Sequence, residues 1–186
     1  MIRLVDIVKE ISNNETWQIL SNVFHNMPPY VFKDFVMSPN GFFQKELNKI
    51  LKNEPTADED DIAYEFEDWV NIKWKLKVLE LSPRNFTKEN LKTMMQRKFG
   101  DANPNKVPDD EKRIEYQRKL AKKLKPGTNE PVILLNKGNE YRLLEGWHRT
   151  MAILSLGNNG ETNPIDWNKI KIKAWIGTGN SVKNVW

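Results

Sequence analysis

Glu145-Gly146-Trp147-His148-Arg149-Thr150 brings a carboxylate, an imidazole, a guanidinium and a glycine together in six consecutive residues. That set suits phosphate chemistry. A glycine lets an anion approach the backbone closely, and free N–H groups at a helix start favour negative charge there. Arg149 adds a planar fork whose donors match phosphate oxygens. His148 can donate to a phosphate oxygen or move a proton, and Glu145 can take a substrate proton or orient a magnesium ion through water. Each residue also has a plainer use. Glu145 can cap the following helix, His148 can satisfy a backbone carbonyl, and Gly146 can serve the turn alone.

The elements that must position this turn are legible around it. Pro131 to Leu135 is a short apolar run, the pattern of a buried strand. Lys137-Gly138-Asn139 predicts a tight turn into a second strand, and the pair is expected over 131–136 and 140–145. Beyond Gly146 the period changes: Met151, Ala152, Leu154 and Ser155 fit a helix, which Gly157 closes. The chemistry therefore sits where a strand passes into a helix.

Upstream, Trp74, Leu76 and Val78 alternate with Lys75 and Lys77, predicting a half-exposed strand over 74–81 that ends at Ser82-Pro83. Thr87 caps a helix with Leu91, Met94 and Met95 inward, and Gly100 to Pro108 reads as a polar loop. Residues 109–125 predict a helix capped by Asp109 or Asp110, with Ile114, Gln117, Ala121 and Leu124 on one face. Arg113, Arg118, Lys119, Lys122 and Lys123 fill its other faces. They read either as a strip for nucleic-acid backbone or nucleotide phosphates, or as a solvated helix with cations near its C-terminus, where the dipole favours them. Pro126-Gly127 stops that helix. Near the end, Ile170, Ile172 and Ala174 alternate with Lys169, Lys171 and Lys173 in a final strand over 169–176, and Trp167, Trp175 and Trp186 read as packing residues.

The first 70 residues predict a helical subdomain without a chemical motif. Leu4, Ile7, Val8 and Ile11 mark one helix, Trp17 to Phe24 a second, Tyr30 to Met37 a third, and Ser38-Pro39 starts a fourth with Phe43, Leu47, Ile50 and Leu51 as its stripe. His25, with no second His nearby, reads as a turn residue. Thr56 to Glu59 matches a capping box ahead of Ile62, Phe66, Trp69 and Val70, and the acids Asp58 to Asp61 lie in the first turn, where the helix dipole favours them. The division expected is a helical subdomain over 1–70 and an α+β domain over 71–186.

Charge follows the same division. Residues 1–70 hold 6 Lys/Arg and 13 Asp/Glu, a net −7, whereas residues 71–186 hold 23 and 12, a net +11. The half that carries the turn is basic, which suits a phosphate-bearing partner, and the two halves can equally attract each other. The chain has no cysteine, which excludes disulfides, thiolate metal sites and cysteine nucleophiles. No apolar run approaches a membrane span and the first residues lack a signal peptide's apolar core, so the expected compartment is the cytoplasm. Lysine outnumbers arginine and asparagine is common, a composition that fits an AT-rich genome such as a phage or a low-GC bacterium. No P-loop, GxGxxG, zinc motif or Ser/His/Asp pattern is present.

The strand, hairpin and acid-Gly-x-His-Arg turn resemble the signature of the ParB/sulfiredoxin-like superfamily, with Glu145, Gly146, His148 and Arg149 at the matching positions and the likeness running from about Trp74 to Gly179. The strand, proline turn and helix from Leu79 to Phe99 also resemble the opening of that domain. The resemblance implies an α+β fold, a small mixed sheet with surrounding helices, and a turn that holds nucleotide phosphates. It implies Gly146, Trp147, Arg149 and Thr150 as nucleotide-binding residues and Glu145 and His148 as catalytic ones. Activities in the superfamily include nucleotide switches that load on DNA, small-molecule kinases, ATPases and nucleases. The expectation is thus a nucleoside triphosphate, ATP or CTP, with Mg2+, and hydrolysis or phosphoryl transfer. The alternative is a non-catalytic DNA- or RNA-binding module. Two departures matter. Sulfiredoxin's chemistry needs a cysteine in this turn, and none is present; no helix-turn-helix pattern is found in 151–186, which argues against a chromosome-segregation role.

Overall fold

The computed structural model describes residues 24–36, 66–99, 110–161 and 163–183. The helices expected over 3–11, near Trp17 and after Ser38-Pro39, the capping box and acids of 56–61, the loop of 100–108 and Trp186 lie outside the described residues. The chain divides into two compact units, residues 1–74 with 177–186, and residues 75–176.

In the first unit, Pro29–Val31 form a short helix (α1) that continues as a π-helical turn over Phe32–Val36, and Phe66–Val70 form a second helix (α2). Phe35 and Trp69 pack ring on ring with centroids 5.0 Å apart, and both are buried with Val31 and Ile72. These aromatic contacts anchor that unit by removing large apolar surfaces from water.

The rest is α+β, as expected. Strands Lys73–Leu81 (β1), Val132–Lys137 (β2), Glu140–Glu145 (β3) and Ile170–Thr178 (β4) form a four-stranded mixed sheet in the order β1-β4-β2-β3. Helices Lys88–Phe99 (α3), Asp110–Lys123 (α4) and Trp147–Leu154 (α5) accompany it. β2 is an interior strand, and Val132, Ile133, Leu134 and Leu135 are all buried. That explains its unbroken apolar run: a strand covered on both faces has no solvated side to alternate with. β1 is an edge strand, and Lys73, Lys75 and Lys77 charge it against pairing with another chain while Leu76 and Val78 stay exposed.

β2 and β3 pair antiparallel through a two-residue connection, with Lys137 opposite Glu140 and Gly138 at φ +64°. The Asn136 amide donates to the carbonyls of Gly138 and Glu140 and ties the turn to the strands. Farther along, Ile133 pairs with Glu145 but Leu134 pairs with Leu143, so Leu144 is an extra residue in β3. Such a bulge bends a strand and re-aims the chain beyond it, here the turn at Gly146.

β3 is the other edge, and the start of α3 covers it. Phe86 bridges to Tyr141, the Thr87 N–H donates to the Tyr141 carbonyl, and the buried Asn90 Oδ1 accepts the Leu143 N–H at 2.5 Å. Thr87 caps α3 as expected, its Oγ1 accepting the Asn90 N–H at 3.2 Å. α4 packs against α5. It stops at Lys123, short of the expected 125, and leaves Leu124 exposed instead of on the inward face. Pro126 accounts for the early stop, since the residue before a proline is pushed out of helical geometry. β4 starts one residue later than expected and runs to Thr178. Trp167 is buried in the core with Leu134, Leu143, Met151 and Ile172.

Candidate functional site

Gly146 is the hinge between β3 and α5. It sits in the left-handed region, φ +93° and ψ 30°, as the N-cap residue of α5, a position where glycine offers no side-chain acceptor. The Gly146 carbonyl accepts the Thr150 N–H at 2.8 Å and begins the helical ladder. A Cβ at position 146 would meet Val132 Cγ1 at 2.8 Å and Val132 Cβ at 3.1 Å. Both the dihedral and the packing against β2 thus require glycine here.

Arg149 points across to the chain entering β2. One of its terminal nitrogens donates to the Pro131 carbonyl at 2.9 Å and the other to Glu130 Oε2 at 2.7 Å. Its side chain is 21% exposed, that of Glu130 72%. The segment that receives it is held in turn by Asn129, whose buried amide imitates a strand: Oδ1 accepts the Lys173 N–H at 2.9 Å and Nδ2 donates to the Lys173 carbonyl at 3.1 Å. A chain of hydrogen bonds therefore runs from β4 through Asn129 and Glu130-Pro131 to Arg149 on α5.

Thr150 has no exposed surface, and its hydroxyl lacks a hydrogen-bond partner among the described residues. Trp147 is half-buried against the core. Glu145, the last residue of β3, is half-buried. His148, in the first turn of α5, opens on a cleft of about 260 Å³ whose other wall is α4: Lys112, Arg113, Tyr116 and Gln117. The cleft thus joins the turn, through His148, to two cations, an aromatic ring and an amide. An anion bound there meets the positive charges of Lys112 and Arg113 on α4, with the His148 ring opposite them.

The basic residues of α4 do not line up as one strip. Arg113 is at the His148 cleft. Arg118 is half-buried, with a 3.8 Å ion pair to Glu115. Lys119 and Lys123 are exposed. Lys122 lines a larger groove of about 390 Å³ at the other end of the helix, floored by Ala121, Ile153, Leu156 and Ile170. That groove is bigger and carries Lys122, Lys125, Lys171 and Asn129 of its own, but none of the turn's residues lines it; the smaller cleft is the candidate because His148 of the turn opens on it.

No protein-family model, curated protein or solved structure matches this chain.

Lys112 and Tyr116 at the cleft, and Asn129 and Glu130 in the hydrogen-bond chain to Arg149, are the residues that sequence reasoning passed over. Lys112 with Tyr116, and Arg113 with Gln117, are i, i+4 pairs on adjacent rows of one helix face, so the helical period alone marks a mixed cationic and aromatic surface. Glu130 and Asn129 carry no such signal, because they lie in an irregular segment whose partners are distant in sequence. Among the described residues no group of three or more His, Cys, Asp or Glu could hold a metal ion. No helix among them is long and apolar enough to cross a membrane.

Proposed function

We propose that the protein binds a nucleoside triphosphate in the cleft between α4 and the first turn of α5, with its phosphates toward Lys112, Arg113 and His148. The observation that carries this reading is the cleft itself: His148 of the glycine turn faces Lys112, Arg113, Tyr116 and Gln117 across one cavity. The resemblance of the strand, hairpin and Gly146 turn in the sequence to the ParB/sulfiredoxin-like superfamily supports it, because that turn holds nucleotide phosphates in the superfamily. Mg2+ arrives on the phosphates, which supply its oxygen ligands. In this reading Gly146 shapes the turn and His148 contacts a phosphate oxygen. Arg149 anchors the turn through Glu130 and Pro131 and contributes positive charge from behind it. Glu145, at the end of β3, is the candidate base for hydrolysis or transfer to a second substrate. A second reading, sequence-independent binding of DNA or RNA, is favoured by the exposed Lys119 and Lys123 on the same helix.

A thermal-shift screen of nucleoside triphosphates with and without Mg2+ tests the first reading. A ligand at one hundred times its dissociation constant stabilises by about 2.7 kcal/mol, or roughly 5–10 °C for a chain of this size. Phosphate release by wild type and Glu145→Gln then separates turnover from binding: a catalytic base leaves binding intact and abolishes release. A screen without any shift removes the proposal.

A further inference from the structure

We infer that the cleft selects a nucleoside over a bare polyphosphate, because Tyr116 forms a stacking platform for one base beside the cations that hold the phosphates. The inference rests on the phosphate-binding reading above and specifies its ligand.

Tyr116 is 61% exposed, and it lines the cavity. Its ring is a large apolar surface left in water at the wall of a charged cleft, where a solvated helix face needs only polar side chains. Lys112 and Arg113 lie one turn before it on α4, and residues three and four apart on a helix are neighbours. A flat apolar face with cations about one helical turn away matches a nucleotide, whose π-face and phosphates are separated by a sugar. Gln117 is next to Tyr116 on the same wall. Its carboxamide offers both a donor and an acceptor; a base edge can pair with both, whereas an ionised polyphosphate can use only the donor. Among the described residues Tyr116 is the one phenol or indole ring lining the cleft, a stacking place for one base. Stacking is tolerant of base identity, so both purine and pyrimidine nucleotides gain from it.

Calorimetric titration of the full chain with Mg2+ and, in turn, tripolyphosphate, ATP and CTP tests the inference. The expected result is that the nucleotides bind roughly ten- to a hundredfold more tightly than tripolyphosphate. Tyr116→Ala then removes that advantage and leaves tripolyphosphate affinity unchanged, while Tyr116→Phe keeps it. Tyr116 is exposed, so its replacement spares the fold, which the helical circular-dichroism signal verifies. Nucleotides that bind no better than tripolyphosphate, or an advantage that survives Tyr116→Ala, overturn the inference and leave the phosphate reading standing. If neither tripolyphosphate nor a nucleotide binds, both fall.

Discussion

Replacing Gly146 with alanine perturbs the turn in two separable ways. At φ +93° an L-residue with a Cβ carries a penalty of roughly 1–2 kcal/mol. The added Cβ also falls 2.8 Å from Val132 Cγ1, and relieving that overlap against a strand buried on both faces costs about 1–3 kcal/mol more. Alanine restricts the unfolded chain and returns about 0.4–1 kcal/mol, so the net destabilisation is about 1–4.5 kcal/mol, near 3 at mid-range. Most of the packing part disappears when Val132 is shortened to alanine, which removes Cγ1 and leaves only Cβ at 3.1 Å. In a Val132→Ala background, Gly146→Ala is expected to cost only about 1 kcal/mol, giving a coupling energy of about 1–2 kcal/mol in a double-mutant cycle. Urea unfolding monitored by tryptophan fluorescence and by circular dichroism supplies the four stabilities, with coincident transitions required for the comparison. A Gly146→Ala protein as stable as wild type refutes the argument from φ. An equal cost in both backgrounds refutes the argument from Val132.

The same geometry bears on three other changes. Arg149→Ala removes a part-buried clamp on Pro131 and Glu130 and is expected to cost about 1–2 kcal/mol in urea unfolding without any ligand, whereas Glu130→Gln, at a largely exposed partner, costs under about 0.5 kcal/mol. Equal costs would mean that the ion pair, not the carbonyl contact, holds the turn. Asn90→Ala leaves the Leu143 N–H without its acceptor at the covered edge of β3 and is expected to cost about 1–3 kcal/mol by the same assay; a neutral change would show that water replaces the amide. If DNA or RNA binds, Lys119→Glu with Lys122→Glu and Lys123→Glu abolishes that binding and flattens its salt dependence in an anisotropy titration. An unchanged salt slope leaves these lysines as a solvated face.

Much of the framework around the turn was legible because it depends on local pattern. The all-apolar run of β2, the Gly138 turn and the shift of period after Gly146 are each written in a few neighbouring residues, and the structure places β2, β3 and α5 within a residue or so of the expected bounds. What was not legible depends on register and on distant partners. The bulge at Leu144 arises from how β3 pairs with β2. Arg149 reads in sequence as a phosphate ligand, yet its fork meets Glu130 and Pro131, 19 and 18 residues earlier, and no spacing rule links them. Thr150 belongs to the same six-residue motif, but the pitch of α5 turns it into the core. His148 and Lys112 meet because α4 packs on α5, a tertiary fact that leaves no local trace. The basic residues of α4 read as one strip only while the helix has no neighbours; once packed, they separate to its two ends and its outer face.

Isothermal titration of ATP and CTP into wild type, Lys112→Glu/Arg113→Glu and Lys119→Glu/Lys123→Glu tests the central claim most directly. If the cleft between α4 and α5 holds the phosphates, reversing both charges that line it weakens binding by about a hundredfold or more, because each lost charge-assisted contact is worth roughly 1.5–3 kcal/mol. Reversing two exposed lysines of the same helix that do not line the cleft changes the net charge equally and leaves affinity within about threefold, since solvent and salt screen exposed charges that make no direct contact with the ligand. Wild-type binding that ignores the first pair, or that falls equally with both, contradicts a phosphate site in this cleft.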